Sequence, residues 1–490
     1  MNEPARQSRL ESDAGERIGR LIAAQRSAIM AAPCPAADER IRKLKALKRQ
    51  LARYQDLLAD AMCRDFGYRS HTESKILDLL GTTLAANHAI SHVRRWMRPS
   101  RRRNELLLSG NGLRVHYQPK GMVGIVVPWN FPVYLAFGPL IAALAAGNRA
   151  MLKMPPSTPA TNAVLERLLG EVFAEDEVAL VGEELTDPAT FSAQPFDHIV
   201  FTGSSAVGRT VMRTAAENLI PVTLELGGKS PAVVTRNYPL ADAARRVAHG
   251  KVANCGQVCV SPDYALVPRE HLAGFVAAAK DAYVSMFGAT LAGNDLTWVV
   301  DDRHAARLNG LLNEARAKGA KVTPCAHYLA ERDGRRMPLH IVTDCTPDMR
   351  IMQEELFGPV LPVIPYDTLD DAIRHINGND RPLALYCFSR DAAERDELRR
   401  RTHSGGVTFN DWCWHVVSHD APFGGIGESG MGNYHGEEGF RELSHARTVF
   451  TRRRFFPTHW FQPPYGNFVQ RLTLRLFLGK ADPTLKTKDE

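Results

Sequence analysis

Short apolar runs alternate with amphipathic segments from residue 121 onward, and this alternation predicts mostly parallel sheets covered by helices. One series of strand-like runs extends from residues 123–127 to residues 222–226, with helical patterns such as 205–217 between them. A second series begins at residues 232–234 and extends to residues 406–409. The Gly227-Gly228 pair lies between the two series, so the pattern predicts two α/β domains that meet there.

No charged residue occurs between positions 121 and 148, a length that by itself would suit a membrane-spanning helix. Pro128, Pro132 and Pro139 interrupt this stretch, which favours a buried strand, a turn and then a buried helix at residues 131–146. We therefore expect no membrane span. Trp129 and Asn130 then follow a buried strand at its carboxyl end, where the ligand sites of open α/β sheets gather.

The composition is typical of a globular protein, since 44% of the 490 residues are hydrophobic and 23% are charged. The net charge of +7 is mild for this size, and the arginine-rich stretch 94–103 has no accompanying nucleic-acid reading motif, so we expect no nucleic-acid partner. The eight cysteines are scattered without zinc-ligand spacing, and the N-terminus lacks an apolar signal segment. These features predict a cytoplasmic protein with reduced thiols and no metal site.

The most informative candidate residues are Cys259 and the preceding Glu225. A cysteine attacks a carbonyl carbon as the thiolate, and a carboxylate that deprotonates water would release the acyl group that results. A cysteine between Val258 and Val260 is, taken alone, more typical of a buried packing residue. Other segments have to decide between the two interpretations.

Two glycine-rich motifs suggest nucleotide binding by their letters. Residues 203–210 resemble a P-loop between a strand and a helix, but Arg209 replaces the lysine that reaches the phosphates. Gly203 and Ser204, small residues at a helix start, would still favour a phosphate. Residues 425–430 match the dinucleotide fingerprint without a preceding apolar strand, so we interpret them as a turn.

Seven short motifs in a fixed order resemble the aldehyde dehydrogenase superfamily over roughly residues 20–450. They are Pro128-Trp129-Asn130-Phe131-Pro132, Leu152-Lys153, Phe201-Thr202-Gly203-Ser204, Leu224-Glu225-Leu226-Gly227-Gly228, Gly256-Gln257-Val258-Cys259, Glu354-Glu355-Leu356-Phe357-Gly358-Pro359 and Pro422-Phe423-Gly424-Gly425. Within the superfamily, residues 114–124 and 431–436 resemble the class 3 group, and most of all the bacterial coniferyl aldehyde dehydrogenases. The resemblance implies an α/β fold with a Rossmann-type cofactor domain, an α/β catalytic domain and a small oligomerisation hairpin.

The resemblance also implies catalytic roles for three residues. Cys259 matches the family nucleophile, which forms a thiohemiacetal with the aldehyde and then a thioester. Asn130 matches the oxyanion donor, which acts together with the backbone N–H of Cys259. Glu225 matches the general base that activates water, and its presence favours hydrolysis to the carboxylic acid over acyl transfer to coenzyme A.

NAD is the cofactor that the resemblance implies. Lys153 and Glu355 match residues that hold ribose hydroxyls, and Gly203 and Ser204 match the turn beneath the pyrophosphate. The full set of matched cofactor residues is Trp129, Lys153, Gly203, Ser204, Gly208, Leu226, Glu355 and Phe357. Pro156 replaces the glutamate with which many NAD-specific members repel a 2′-phosphate, so NADP stays open.

The implied domain division has four parts. They are a cofactor-binding domain at residues 1–100 and 120–227, a catalytic domain at 228–440, oligomerisation segments at 101–119 and 441–460, and a C-terminal extension at 461–490. The class 3 resemblance implies a homodimer. The amphipathic, basic segment 468–478 would cover a cavity mouth, pack on a second subunit or lie on a membrane surface.

The resulting prediction is an NAD(P)-dependent aldehyde dehydrogenase of the EC 1.2.1 class. Tyr134, Trp412 and Trp414 predict an apolar pocket for an aromatic aldehyde, such as coniferyl aldehyde, or a medium-chain aliphatic one. Cys255 would make the activity sensitive to oxidation if its sulfur meets that of Cys259. The alternatives are a nucleotide-binding or NTPase protein that uses residues 203–210, and a catalytically silent structural relative.

Overall fold

The computed structural model describes residues 3–182, 185, 188–291, 293–328, 333–453 and 458–481, with side chains left out for residues 3–14, Leu107 and Pro188. The chain divides into two compact units. The first comprises residues 1–97 and 118–445, and the second comprises residues 98–117 and 446–490. The finer division into cofactor and catalytic domains stays a prediction.

The strands of the described residues are β1 (Ser100–Arg101), β2 (Gly112–Pro119), β3 (Met122–Val126), β4 (Arg149–Lys153), β5 (Val178–Val181), β6 (His198–Thr202), β7 (Val222–Glu225), β8 (Pro231–Val234), β9 (Tyr264–Pro268), β10 (Lys321–Pro324), β11 (His340–Thr343), β12 (Val360–Tyr366), β13 (Ala384–Phe388), β14 (Gly406–Phe409), β15 (Gly430–Met431) and β16 (Ser444–Thr451).

The α-helices of the same residues are α1 (Glu3–Ala31), α2 (Ala37–Asp65), α3 (His71–Ser74), α4 (Gly81–Trp96), α5 (Tyr134–Ala146), α6 (Pro159–Gly170), α7 (Pro188–Ser192), α8 (Ser205–Ala216), α9 (Leu240–Val252), α10 (Leu272–Phe287), α11 (Asp302–Ala317), α12 (Arg350–Gln353), α13 (Leu369–Asn377), α14 (Ala392–Arg401), α15 (Trp414–Val417), α16 (Gly436–Glu442) and α17 (Phe468–Leu478). A π-helical turn spans Lys75–Leu80, and short 3₁₀ turns span Leu106–Leu108, Ala253–Gly256, Arg269–His271 and Thr458–Phe461.

A six-stranded sheet in the order β15-β7-β6-β3-β4-β5 forms one core of the first unit. Its strands are parallel except for β15, which pairs antiparallel with β7. β3, β4 and β6 are buried along nearly their whole length, as expected for parallel strands with helices on both faces of the sheet. β15 differs from the sequence expectation, since two residues with a glycine carry no strand pattern of their own.

A seven-stranded sheet in the order β10-β11-β12-β9-β8-β13-β14 forms the second core of this unit. Only β10 pairs antiparallel, with β11, and the other pairs are parallel. β7 ends at Glu225 in the first sheet and β8 begins at Pro231 in the second. The chain therefore passes from one sheet to the other through the predicted Gly227-Gly228 boundary, and the predicted α/β fold class is confirmed.

The apolar helix α5 begins at Tyr134, three residues after the predicted start. The backbone N–H groups of Val133 and Tyr134 donate to Asp78 Oδ1 at 3.3 and 2.9 Å, so a distant carboxylate fixes the helix start. Nearly every residue of α5 is buried, which explains its uniformly apolar sequence. Among the described residues, no helix has the length and apolar character needed to cross a membrane.

The second unit contains most of a three-stranded sheet in the order β1-β2-β16, at the predicted oligomerisation segments. β1 and β2 are antiparallel, with Ser100 opposite Val115. The predicted amphipathic segment forms α17, which Asn467 caps by accepting the N–H of Gln470 at 2.9 Å. The role of α17 and the dimer stay predictions, and residues 482–490 lie outside the described part of the chain.

Candidate active site

The carboxyl edge of the six-stranded sheet collects five of the predicted site residues. In the parallel register Val126 lies opposite Lys153 and Phe201, and Thr202 lies opposite Glu225. Trp129 and Asn130 follow β3, and Gly203 follows β6, so these residues leave the sheet on the same side as Lys153 and Glu225. The edge of a parallel sheet is where α/β proteins build ligand sites.

Cys259 lies on a tight loop between α9 and β9. Asn254, Cys255 and Gly256 adopt left-handed backbone conformations, with φ of 47°, 56° and 70°. A Cβ on Gly256 would lie 2.4 Å from the carbonyl oxygen of Gly358, so only glycine fits there. Gln257 holds the end of the turn, since its side chain donates to the carbonyl oxygens of Asn254 and Trp298 and accepts from Val300 N.

Asn130 reaches the loop that carries the cysteine. Its amide Nδ2 donates to the carbonyl oxygen of Gln257 at 3.0 Å, and its side chain is almost fully buried. The amide of Asn254 returns a bond of 3.0 Å to the carbonyl oxygen of Asn130. These two hydrogen bonds join the loop after β3 to the loop before Cys259, although the residues are far apart in sequence.

Two cavities meet at Cys259. The glycine-lined cavity, of about 240 Å³, contains nine of the predicted site residues. They are Trp129, Asn130, Gly203, Ser204, Glu225, Leu226, Cys259, Glu355 and Phe357. His304 and Arg307 also line it, and the sequence interpretation did not include them. Cys259 is therefore accessible from a chamber whose other walls are the candidate cofactor residues.

The aromatic cavity, of about 660 Å³, reaches Cys259 by a second route and is mostly apolar. The predicted residues Tyr134, Val258, Val260, Trp412 and Trp414 all line it. Both tryptophans are fixed by hydrogen bonds. Trp412 Nε1 donates to His249 Nδ1 at 3.0 Å, and Trp414 Nε1 donates to Asp411 Oδ2 at 2.8 Å. The volume lies within the range of small-molecule pockets.

Burial dominates the electrostatics around the thiol. It raises the pKa of Cys259, and the nearby carboxylates of Glu355 and Glu225 raise that pKa further. Burial also raises the pKa of Glu225 well above its ordinary value. Neither carboxylate oxygen of Glu225 has a hydrogen-bond partner among the described residues, which is unusual for a group with 2% exposure. An acid kept free of partners in a cavity wall is available for proton transfer.

Glu355 is held in the glycine-lined cavity by a network of buried charges. Asp263 Oδ1 accepts the N–H of Leu356 at 3.0 Å, and Lys229 Nζ donates to the carbonyl oxygen of Glu354 at 2.8 Å. Burial, then the charge of Asp263, raises the pKa of Glu355 to about 8. A Cβ on Gly227 would lie 2.0 Å from Glu355 Oε2, so the glycine makes room for this carboxyl group.

Lys153 and Gly208 are the two predicted cofactor residues that do not line either cavity in the described structure. Lys153 Nζ is buried and donates to the carbonyl oxygens of Met154 and Gly182 at 2.9 and 2.8 Å. Gly208 has a packing role, because a Cβ there would lie 2.7 Å from Leu226. The glycine allows α8 to approach the sheet at the N-terminal end that favours a phosphate.

The interpretation of Cys255 as a redox partner of Cys259 has no support in the fold. Cys255 is fully buried and its Sγ approaches the carbonyl oxygen of Met337 at 3.8 Å. It packs in the apolar cluster of Val299 and Leu308, whereas Cys259 packs against the cluster of Val258 and Val260. With the left-handed turn at residues 254–256, the sulfurs of Cys255 and Cys259 pack in different apolar clusters.

The arginine of the P-loop-like segment pairs with a distant acidic residue. Arg209 forms an ion pair with Glu428, and both side chains are largely exposed.

Sequence reasoning missed Arg69, Glu73 and Asp78. Arg69 and Asp78 form an ion pair of 2.8 Å with both side chains fully buried, and Glu73 Oε1 accepts the N–H of Asn254 at 2.9 Å. Only Asp78 lies within the helical pattern at residues 74–97, so the sequence carried no signal that joined the three charges. The sequence did not indicate that their partners would be the loops of the site.

Comparison with known proteins shows extensive similarity. The model of the "Aldehyde dehydrogenase family" matches residues 8–449. A "Probable coniferyl aldehyde dehydrogenase" of Pseudomonas aeruginosa is 47% identical over 458 residues, which cover 94% of this chain and 96% of that protein. Mouse "Aldehyde dehydrogenase family 3 member A2" is 37% identical over 415 residues, 83% of each chain. The crystal structure of a Mycobacterium tuberculosis aldehyde dehydrogenase complexed with NAD⁺ superimposes with a TM-score of 0.79 at 29% identity, covering 89% of this chain and 90% of that one.

Proposed function

Because this chain belongs to the aldehyde dehydrogenase family and is an aldehyde-oxidising enzyme, we propose that it converts an aromatic aldehyde to its carboxylic acid through a covalent intermediate on Cys259. The observation that carries this proposal is that Cys259 faces both the aromatic cavity and the glycine-lined cavity. A thiol at that junction meets a substrate from one side and a cofactor from the other.

The proposed first step is addition of the Cys259 thiolate to the aldehyde carbon, which gives a thiohemiacetal. Burial disfavours the thiolate, so the proton has to pass to a neighbouring acceptor. Glu225 is the acceptor that we assign, because its oxygens have no other partner in the described residues. Transfer within the pair leaves one negative charge shared by two buried groups, which costs less than two separate charges.

Asn130 stabilises the oxygen that becomes negative during this addition. A preorganised side-chain amide of this kind contributes about 3 kcal/mol to the transition state. The amide donates to the carbonyl oxygen of Gln257, two residues before Cys259, so it contacts the loop of the nucleophile. Only a small change of partner is needed for it to donate to the substrate oxygen.

The residues that line the glycine-lined cavity suit NAD or NADP, which would supply the hydride acceptor for the oxidation when bound. Ser204 and Gly203 lie at the N-terminus of α8, where backbone N–H groups favour a phosphate. The carboxyl of Glu355 faces the same cavity and would accept hydrogen bonds from the sugar hydroxyls of the cofactor. Pro156 provides no carboxylate against a 2′-phosphate, so both cofactors belong in the assay.

Glu225 completes the cycle as the general base for thioester hydrolysis. After Glu225 has lost the thiol proton to solvent, it removes a proton from water, the hydroxide so formed attacks the acyl carbon, and the Cys259 sulfur leaves as thiolate and takes the proton back from Glu225. The aromatic cavity supports an aryl aldehyde, since Tyr134, Trp412 and Trp414 offer flat apolar walls. The similarity to a probable coniferyl aldehyde dehydrogenase makes hydroxycinnamyl aldehydes the first substrates to test.

The experiment compares wild type, Cys259→Ala and the control Cys345→Ala, whose thiol lies in a different core cluster. Each protein is mixed with coniferyl aldehyde, benzaldehyde, hexanal and acetaldehyde, with NAD and with NADP, and cofactor reduction is followed at 340 nm. Wild type and Cys345→Ala are expected to prefer the aryl aldehydes, and Cys259→Ala to lose turnover by about a thousandfold or more. Undiminished turnover in Cys259→Ala would refute the mechanism, and a preference for acetaldehyde would refute the substrate class.

A further inference from the structure

We propose that Arg69, Glu73 and Asp78 are positioning residues for the reaction, because together they hold the loop of Asn130 and the loop of Cys259 in one fixed arrangement. This inference rests on the proposed function of those two loops. None of the three side chains lines either cavity, so they act through the loops and do not touch the substrate.

The three residues belong to one short segment between α2 and α4. It consists of the loop at residues 66–70, which contains Arg69, the short helix α3 and the π-helical turn Lys75–Leu80. A π-turn carries one extra residue per turn, costs stability and is frequent at functional sites. Asp78 lies in this turn and is fully buried, and Ile76 and Leu80 of the same turn line the aromatic cavity. The segment thus has one side in the substrate cavity and the other side against the catalytic loops.

Arg69 and Asp78 hold the loop of Asn130 from both ends. Arg69 Nη2 donates to Asp78 Oδ2 at 2.8 Å, and Arg69 Nη1 donates to the carbonyl oxygen of Asn130 at 3.3 Å. Asp78 Oδ1 accepts the N–H of Tyr134 at 2.9 Å, where helix α5 begins. The ion pair therefore fixes the short stretch between Asn130 and Tyr134, and each charge is neutralised by the other.

Glu73 holds the loop of Cys259. Its Oε1 accepts the N–H of Asn254 at 2.9 Å, and its Oε2 accepts the hydroxyl of Thr297. Asn254 is a left-handed residue other than glycine, a conformation that persists only where neighbouring contacts over-determine it. The carboxylate of Glu73 is such a contact, and it acts five residues before the nucleophile.

The two halves of the arrangement are joined through Asn254. Its backbone N–H donates to Glu73, while its side-chain Nδ2 donates to the carbonyl oxygen of Asn130, the same oxygen that Arg69 contacts. A shift of either loop would break bonds in the other. This is the arrangement required where a nucleophile and an oxyanion donor from distant parts of the chain act on one carbonyl group.

The test uses Glu73→Ala, the conservative Glu73→Gln and the matched control Thr82→Val. Thr82 is also buried on this helical region, but its hydroxyl donates only to the backbone of Asp78 in the described structure. Two readouts are taken: the pre-steady-state rate of cofactor reduction with cinnamaldehyde, and the alkylation rate of Cys259 by iodoacetamide in the cofactor-free protein. Melting temperatures are recorded for every variant.

Glu73→Ala is expected to slow the burst about tenfold or more while the KM for cinnamaldehyde changes less than about threefold, because misplacement affects reaction more than binding. The loosened loop should alkylate about threefold faster or more, since the thiol becomes less buried. Glu73→Gln retains an acceptor for the N–H of Asn254 and should restore both rates to within about threefold of wild type. Thr82→Val should keep both rates within about twofold even where its melting temperature falls.

Thr297→Val, which removes the hydroxyl partner of Glu73, is the milder variant if Glu73→Ala does not fold, and it should slow the burst about threefold. Unchanged burst and alkylation rates in the folded Glu73 or Thr297 variant would overturn the proposal, as would an equal loss in Thr82→Val. Absence of cofactor reduction in wild type would instead refute the proposed function. The alkylation rates would still decide whether Glu73 positions the loop of Cys259.

Discussion

Replacing Glu355 by glutamine should change how the stability of the cofactor-free protein depends on pH. Burial and the charge of Asp263 raise the pKa of Glu355 from 4.5 to about 8 in the folded protein. The folded state therefore binds this proton more tightly than the unfolded state does. As pH rises from 4.5 to 8, the carboxyl makes the folded state progressively less stable, and above pH 8 the cost is constant.

The magnitude follows from the two pKa values. Each pH unit that separates the folded-state pKa from the unfolded-state pKa corresponds to about 1.4 kcal/mol, so the cost of the buried carboxyl is about 0.8 kcal/mol at pH 5 and about 3.3 kcal/mol at pH 7. A glutamine of the same size does not titrate. The stability of Glu355→Gln relative to wild type should therefore increase by about 2.5 kcal/mol between pH 5 and pH 7.

Thermal unfolding by differential scanning fluorimetry can measure this increase. A chain of 490 residues has an unfolding entropy of about 1 kcal/mol per degree, so the difference in melting temperature between variant and wild type should change by about 2 °C over this pH range. The comparison cancels all other titrating groups. Glu354→Gln is the matched control. The carboxylate of Glu354 adjoins Glu355 in sequence, but it is partly exposed and forms an ion pair of 2.8 Å with Arg350.

Parallel melting curves for wild type and Glu355→Gln from pH 5 to pH 8 would refute the reasoning. They would mean that Glu355 is ionised at the same pH in both states, so that Lys229 and Lys251 offset its burial. An increase of the same size in Glu354→Gln would also count against it, because the effect would then not depend on the buried position.

Two further predictions concern the catalytic loop and the base. Gly256→Ala places a Cβ 2.4 Å from the carbonyl oxygen of Gly358 in a left-handed turn. We therefore expect a loss of about 3 kcal/mol in the free energy of unfolding and faster alkylation of the Cys259 thiol. A melting temperature equal to that of wild type would contradict this prediction. Glu225→Gln should slow thioester hydrolysis more than the pre-steady-state burst of cofactor reduction. Because burial raises the pKa of Glu225, turnover of wild type should rise with pH above the range in which carboxyl groups ordinarily titrate, and the variant should lack that rise. A burst that shrinks in proportion to steady-state turnover would argue against this role.

Much of the fold could be predicted because the strands and helices carry local patterns. β3, β6 and β8 are short apolar runs, and α10 spans the predicted residues 272–287. The start of α5 at Tyr134 and the strand β15 could not be predicted in this way. Both depend on partners distant in sequence, Asp78 in one case and β7 in the other.

The same distinction between local pattern and distant partners applies to the residues of the site. Order and residue type indicated Asn130, Glu225 and Cys259, because a thiol, a carboxylate and an amide in matching motifs identify a chemistry regardless of distance. The separation of Cys255 from Cys259 depends on a left-handed turn that no residue pattern announced. No residue pattern indicated the contacts of Arg69, Glu73 and Asp78 with the loops of Asn130 and Cys259 either.

The sequence by itself determined the family and the α/β fold class, and it indicated the candidate residues for the proposed covalent mechanism, because local periodicity and motif order are properties of the chain. Tertiary structure alone decided that two cavities converge on Cys259, that Glu225 has unpartnered oxygens among the described residues and that Arg69, Glu73 and Asp78 contact the loops of Asn130 and Cys259. The physical reason is that burial, and with it each pKa and each hydrogen-bond partner, is set by residues brought together from distant parts of the chain.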